Sequence, residues 1–156
     1  MPWRRRLSPY VTPLFHRWWA ISRGMTLGVR GLVTDTQGRV LLIEHTYVRG
    51  WYLPGGGVER TETAQHALAR ELVEEAGIEA TGPLILQSVH NNHRRHRNDH
   101  VLVFRVPAWR KVEATSRGEI LNVAWFAPDA LPIDATPGTR ARIAEAFGGI
   151  EADPLW

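Results

Sequence analysis

Three glutamates, Glu71, Glu74 and Glu75, have the spacing with the clearest chemical meaning in this chain. In a helix that advances about 100° per residue, their side chains fall within one arc of roughly 100°. Like charges at these spacings repel each other, so a cation between them would stabilise the helix. Mg²⁺ prefers carboxylate oxygens and keeps water and phosphate among its ligands. The pattern favours a magnesium site; for such a run taken alone, a solvated acidic face is the commoner alternative.

The segment Glu62–Ala76 predicts the helix that carries these carboxylates, because it is rich in alanine, leucine and glutamate and contains no Gly or Pro. Gly77 predicts the C-terminal cap. The apolar residues, among them Leu68 and Leu72, occupy the neighbouring arc and are expected to pack against a sheet. We therefore expect one side of the helix to be buried and the adjoining acidic side to be open.

The rest of the chain alternates between predicted strands and a closing helix. A hairpin is expected around the turn at residues 35–38, where Gly38 supplies a positive φ. The order of elements indicates an α/β or α+β domain with helices on both faces of a mixed sheet. The predicted strands are Leu27–Thr34, Arg39–Glu44, Trp51–Leu53, Pro83–His90, His100–Val106 and Ile120–Phe126, and the closing helix is Thr139–Phe147.

The composition narrows the class of protein. The chain has 156 residues, which suits one domain, and it contains no cysteine. Disulfides, zinc–thiolate sites and thiol nucleophiles are thereby excluded, and a cytoplasmic location is expected. The apolar runs are too short to span a membrane. A net charge of +3 suits an anionic ligand, whereas proteins that bind duplex nucleic acid usually have a longer basic stripe.

We divide the chain into an aromatic and basic leader at residues 1–24, a main domain at 25–150 and a tail at 151–156. Two prolines and two polar residues interrupt the stretch after Arg4–Arg6, so a cleaved signal peptide is not expected. A short amphipathic helix is predicted after Pro13. Packing on its own domain or on a second subunit is favoured over an anionic membrane surface, because the prolines disrupt a long membrane helix.

The segment Gly56–Ile78, with the sequence GGVERTETAQHALARELVEEAGI, resembles the Nudix box, G-x5-E-x7-R-E-U-x-E-E-x-G-U, where U is a bulky aliphatic residue. The segments at 51–55, 125–126 and 129–132 are also similar to the family, so the resemblance extends over about residues 26–132. Every fixed position is filled, by Gly56, Glu62, Arg70, Glu71, Leu72, Glu74, Glu75, Gly77 and Ile78.

The resemblance implies an α/β/α sandwich with a mixed β-sheet between helices. It also implies a hydrolase that uses Mg²⁺, with Mn²⁺ as an alternative, to cleave the P–O–P linkage of a nucleoside diphosphate derivative by attack of water. By the same resemblance, Glu71, Glu74 and Glu75 bind the metal directly or through water. The backbone carbonyl of Gly55 is a further ligand, and Arg70 orients the carboxylates by ion pairing.

The remaining box positions have structural roles by resemblance: Glu62 ties the glycine loop to the helix, and Gly56, Leu72, Gly77 and Ile78 shape the fold. The general base stays open between a box glutamate and a residue of a later loop, for which Glu119 is our candidate. An exposed loop glutamate is the commoner alternative for Glu119. A Nudix-fold sensor that binds a nucleotide without turnover is the second hypothesis, although the complete box counts against it.

Residues that choose the substrate are expected outside the box, and the candidates are Tyr47, Arg49, Tyr52, Arg94 and Arg95. The first three precede the glycine loop, where aromatic rings stack on a base or pack into the core. The two arginines lie in the His/Arg-rich segment 90–100, which either grips phosphate or is a solvated loop. The expected partner is a small nucleotide diphosphate, with no duplex nucleic acid and no membrane contact, and a homodimer stays open.

Overall fold

The computed structural model describes residues 24–115 and 118–156, so the helix expected after Pro13 lies outside the described residues. Neither helix of the described part is long and apolar enough to cross a membrane. The strands are β1 (Thr26–Val33), β2 (Val40–His45), β3 (Trp51–Tyr52), β4 (Ile78–Ala80), β5 (Ile85–Asn91), β6 (Asp99–Val106), β7 (Trp109–Lys111) and β8 (Ile120–Phe126), and the helices are α1 (Ala64–Ala76) and α2 (Pro137–Phe147).

The strands form three small sheets. In the first, of order β1-β6-β5, β1 runs parallel to β6 and β5 runs antiparallel to it, so this sheet is mixed. The second has the order β3-β2-β8 and is antiparallel, and β4 pairs with β7 in the third. The short strands β4 and β7 were not predicted, because three-residue strands leave too little alternation to detect.

The prediction of a hairpin between β1 and β2 is wrong. Its turn forms, since Gly38 has a φ of 76° and donates to the Asp35 carbonyl. The strands then diverge, and a single bridge between Thr34 and Val40 joins them. All eight residues of β1 pair with β6, and β2 pairs with β8 over its whole length.

The strand layer lies between the two helices, as the α/β/α prediction requires. On β1, Val29 and Val33 belong to a buried cluster with Leu68 and Leu72 of α1. Leu32, on the opposite face of β1, belongs to a second cluster that includes Ile143 of α2. Because side chains alternate across a strand, β1 buries both of its faces, and this confirms the α/β fold class.

Helix α1 begins later than predicted and ends where predicted. Thr63 is its N-cap, and the Thr63 hydroxyl accepts a hydrogen bond from the His66 N–H at 3.2 Å. Glu62 therefore lies outside the helix, which leaves its carboxylate available to the loop before it. Gly77 closes the helix with a left-handed φ of 62°.

The C-terminal segment 151–156 returns to the first sheet. The Asn91 N–H donates to the Pro154 carbonyl at 2.7 Å, and the Trp156 N–H donates to the Asn91 carbonyl at 3.0 Å. The ring of His90 is fully buried, with Nδ1 lying 2.6 Å from the Asp153 carbonyl oxygen. The segment thus covers the end of β5 and depends on a buried histidine.

We expect the stability contributed by His90 to fall in acid. Burial lowers the pKa of His90 below 6.5, the nearby Arg142 also lowers it, and the Asp153 carbonyl acts in the other direction. Between this lowered pKa and 6.5 the unfolded chain binds more protons than the folded chain, so stability is lost as the pH falls through that window. The difference in free energy of unfolding between wild type and His90→Asn, from urea denaturation, should shrink as the pH is lowered from about 7 to about 5. If the free energies of unfolding of the two proteins changed with pH by the same amount, this expectation would be contradicted.

Candidate active site

The glycine loop, residues 55–57, follows β3 in the chain and packs against β1 beside the helix α1. The Val29 N–H donates to the Gly56 carbonyl at 2.9 Å, and the Gly31 N–H donates to the Pro54 carbonyl at 2.8 Å. Gly55 has a φ of 137°, and a Cβ there would lie 2.9 Å from the Val29 carbonyl carbon. Only glycine fits this position, because both its conformation and its distance from β1 exclude a side chain.

One arginine connects the start of the box to the acidic helix. The Arg70 guanidinium donates to both Glu62 oxygens, at 3.1 and 3.2 Å, to Glu71 at 2.8 Å and to Glu74 at 3.2 Å. Glu62 also accepts the Glu59 N–H at 3.2 Å, and the hydrogen bonds from Arg70 lower the pKa of Glu62. Arg70 thereby fixes the loop to α1 and holds two carboxylates of the triad, by which we mean Glu71, Glu74 and Glu75.

The three carboxylates have different surroundings. Glu71 lies against the loop, since a Cβ on Gly56 would lie 2.6 Å from its carboxyl carbon. The Glu74 side chain is 40% exposed. The expectation of an open acidic face is wrong for Glu75, which is 8% exposed because its Oε2 turns inward to accept the Gly55 N–H at 2.7 Å.

The triad does not converge on one point. Among residues 24–115 and 118–156, no three His, Asp or Glu side chains are grouped closely enough to hold a metal ion. Arg70 draws Glu71 and Glu74 towards itself, whereas Glu75 faces the glycine loop. In the described part of the chain each of the three hydrogen-bonds through one oxygen, which leaves its second oxygen without such a partner.

Burial perturbs the charge of Glu75. It raises the pKa of Glu75 to about 7, against the opposing effects of the Gly55 N–H and Arg30, and the charges of Glu71 and Glu119 raise it further. Both the neutral and the ionised carboxyl are therefore populated near neutral pH. A cation near this group would favour the ionised form.

Arg30, which the sequence analysis did not identify, lies beside this triad. It extends from β1, donates to the Gly55 carbonyl and makes a long contact of 3.5 Å with the Leu53 carbonyl. Burial lowers the pKa of Arg30, and the charges of Glu75 and Glu71 oppose that effect. One signal was available: a single arginine in the otherwise apolar strand TLGVRGLV must have a partner or a ligand when the strand is buried on both faces.

A cavity of about 470 Å³ opens beside the glycine loop. Two of the predicted substrate residues, Tyr52 and Arg95, line it. Tyr47 is instead 73% exposed, with its ring centroid 5.0 Å from that of His45. Arg49 and Arg94 are exposed and do not line the cavity, so the structure brings together only part of the predicted set.

Several cavity residues come from outside the segments that were expected to choose the substrate. Thr136 and Thr139 lie at the start of α2, and Trp156 lies in the C-terminal segment. Nothing in the local sequence could have identified them, because a threonine at a helix start is usually a cap and a single tryptophan is usually core. Only the tertiary fold brings them next to the glycine loop.

Glu119 is exposed and precedes β8. Its carbonyl accepts the Thr46 N–H at 2.9 Å, which ties this loop to the end of β2. The charge of Glu119 contributes to the raised pKa values of Glu75 and of Tyr47, for which burial is the largest cause.

The chain resembles known proteins over most of its length. The family model of the NUDIX domain matches residues 24–147. A MutT-like protein from Streptomyces ambofaciens is 34% identical over 124 residues, which cover 80% of this chain and 78% of that protein. An RNA pyrophosphohydrolase from Hamiltonella defensa is 30% identical over 108 residues, covering 64% and 66% of the two chains. The crystal structure of a MutT NUDIX hydrolase from Burkholderia pseudomallei matches with a TM-score of 0.68 and 26% identity, covering 78% of this chain and 98% of that one. The chain therefore belongs to the Nudix family and is an enzyme of its pyrophosphohydrolase type.

Proposed function

We propose that this enzyme hydrolyses the diphosphate linkage of a nucleotide with the help of Mg²⁺. One observation carries the proposal: the Glu71 carboxylate of the complete box lies against Gly56, and Gly56 also lines the cavity. A substrate in that cavity would therefore place its phosphates beside the carboxylates. The cavity is lined by Arg30 and Arg95 as well, and guanidinium groups suit phosphate oxygens.

The chemistry of the donor groups fits a hard divalent cation, which on binding would have to draw together carboxylates that lie apart in this structure. Glu71, Glu74 and Glu75 supply carboxylate oxygens, the ligands that Mg²⁺ prefers, and the Gly55 carbonyl is our proposed fourth donor. When bound, such a cation would lower the pKa of a water molecule and neutralise charge on the phosphates. Arg30 donates to the Gly55 carbonyl, so it would share this oxygen with the cation or move to a substrate phosphate.

The protein contributes mainly orientation. Arg70 fixes two of the carboxylates, and the Gly55 N–H fixes the third. Water then attacks one phosphorus atom, the bond from that phosphorus to the bridging oxygen breaks, and a carboxylate takes the proton of the water. We propose Glu119 or a box glutamate as that base, and Tyr52 and Arg95 as substrate contacts.

The substrate class is tested first with a panel. Nucleoside triphosphates, ADP-ribose, dinucleoside polyphosphates and a short RNA with a 5′-triphosphate end should be incubated with Mg²⁺, and released phosphate or pyrophosphate should be measured. The RNA is included because one relative is named as an RNA pyrophosphohydrolase. Hydrolysis of at least one small nucleotide is expected. Tight binding without product over hours would instead support a sensor.

Replacing the box carboxylates should abolish turnover. We expect Glu74→Gln and Glu75→Gln to lower kcat by about 100-fold or more, because each removes a carboxylate that would hold the cation beside the phosphates. Affinity for Mn²⁺, measured by calorimetry without substrate, should fall in the same variants. Glu119→Gln separates the two candidates for the base: a lower kcat with Mn²⁺ affinity near that of wild type would assign the base to Glu119, and an unchanged kcat would assign it to a box glutamate. Unchanged turnover in both box variants would remove these residues from the site.

Two neighbouring glycines provide a matched pair. In Gly56→Ala the new methyl group would lie 2.6 Å from the Glu71 carboxyl carbon, so the carboxylate must move. In Gly57→Ala the methyl group would have no atom within 4 Å. We expect Gly56→Ala to reduce kcat/KM by about 10-fold or more, the equivalent of about 1.4 kcal/mol, and Gly57→Ala to retain most activity. Equal losses in two folded variants, verified by circular dichroism, would contradict the proposed position of Glu71.

Arg30→Lys tests the guanidinium group. Lysine keeps the positive charge near Glu75 but cannot form the planar fork that suits a phosphate. We expect KM for the best substrate of the panel to rise by about 10-fold, in line with the typical strength of a charged hydrogen bond. Thermal unfolding without substrate serves as the control for lost packing. A KM equal to that of wild type would show that Arg30 supports the loop and does not contact the substrate.

A further inference from the structure

The C-terminal segment is fixed by more than its backbone pairing with β5. Arg142 of α2, which is 2% exposed, donates to the Leu155 carbonyl at 3.1 Å and to Glu145 at 2.6 Å. The Asp153 N–H also donates to Glu145 at 3.0 Å. Moving the segment would take the Leu155 carbonyl from Arg142 and the Asp153 N–H from Glu145, so the buried ion pair within α2 would lose two hydrogen bonds.

This arrangement immobilises the side chain of Trp156. The carbon of the Arg142 guanidinium lies 5.3 Å from the ring centroid and covers one face of the indole. The ring of His90 meets the indole at an angle of 73°, with centroids 5.8 Å apart. On α2, Gly138 leaves room for the ring, since a Cβ there would lie 2.6 Å from the indole Nε1. The half-buried indole nevertheless lines the cavity, so part of its surface faces the cavity space.

The same cavity therefore joins two kinds of surface. Gly56 and Arg30 border it beside the carboxylates, and Trp156 supplies an aromatic surface. Its volume of about 470 Å³ is within the range of sites for small molecules. A nucleotide has the matching composition, with anionic phosphates joined through a sugar to a flat base.

His96 and Tyr52 are the other ring-bearing residues of the lining, and the Tyr52 ring already has partners. Its hydroxyl donates to the Arg49 carbonyl at 3.1 Å, and its ring packs edge-on against His45 with centroids 5.5 Å apart. Trp156 has the larger ring system and is packed against Arg142 on one side. A rigid side chain loses little conformational entropy when a ligand packs against it.

We infer that Trp156 is a specificity-determining residue, on which the base of the nucleotide stacks. The position of the phosphates in this arrangement rests on the proposed function. The base contact rests on the packing of Trp156 and on its place in the cavity lining. Stacking of one base on an aromatic side chain corresponds to roughly 5- to 150-fold in affinity. Ligands that share the diphosphate but lack the base should lose that factor.

Calorimetry in the presence of Mg²⁺ tests the base contact without turnover. The probes are the α,β-methylene analogues of ADP, GDP, CDP and UDP, compared with methylenediphosphonate, which has the same diphosphate mimic and no nucleoside. Wild type is expected to bind at least one nucleoside analogue 10-fold or more tightly than methylenediphosphonate. Trp156→Ala should reduce that ratio at least 5-fold, and Trp156→Phe, which keeps a smaller ring, should reduce it less.

Trp109→Phe is the matched control, because Trp109 stacks on Trp125 away from the cavity lining and should keep the wild-type ratio. If Trp156→Ala fails to fold, Trp156→Phe still decides the question, since a ratio equal to that of wild type or of Trp109→Phe overturns the inference. A wild-type ratio near one for all four analogues also overturns it. Loss of the ratio in the Trp156 variants, with no hydrolysis of any panel substrate by wild type, would refute the proposed function and keep the base contact.

Discussion

The hydrogen bond from the Gly55 N–H to the buried Glu75 carboxylate is the contact on which the arrangement of the site depends. It joins a loop that is fixed to β1 with a helix that packs on the same strand. To form it, the chain must bury an acidic group and give the loop a backbone conformation that only glycine adopts readily. Arg30 lies alongside as a compensating cation for the buried carboxyl, and the glycine at position 55 meets the second requirement.

That contact explains why the glycines and glutamates of the box act as one unit. The loop offers N–H and carbonyl groups from a backbone without side chains, and α1 offers carboxylates that fill the space so created. Gly56 shows the relation most directly, since the volume that a methyl group would need is taken by Glu71. Arg70 then makes the connection a second time, from the Glu62 side of the loop.

Much of this could be predicted from the sequence, because the relevant physics is local. The helical arc of Glu71, Glu74 and Glu75, the cap at Gly77 and the apolar face of α1 all depend on residues within a few turns. The α/β class followed from the order of elements, and the family match agrees with the resemblance of the box. The burial of Glu75 could not be predicted, because it requires knowing that the loop folds onto that side of the helix.

The pairing of strands and the composition of the cavity depend on contacts between distant residues. The turn at residues 35–38 is visible in the sequence, but the preference of β1 for β6 lies in residues about seventy positions away. Likewise, Arg30 and Trp156 are far apart in the chain and meet the same cavity only because β1, β5 and α2 are neighbours in space. Periodicity carries no information about contacts between such distant residues, and of the residues predicted to bind the substrate only Tyr52 and Arg95 line the cavity.

The docking of the C-terminal segment also has an evolutionary consequence. Its pairing with Asn91 uses the carbonyl of residue 154, which every residue has, and the N–H of residue 156, which only proline lacks, so this pairing does not depend on those two side chains. The side chain at position 156 can therefore change by single substitutions while α1 and the glycine loop stay intact. In such an architecture, ligand preference can diversify among descendants of one ancestor without passing through forms that have lost their chemistry.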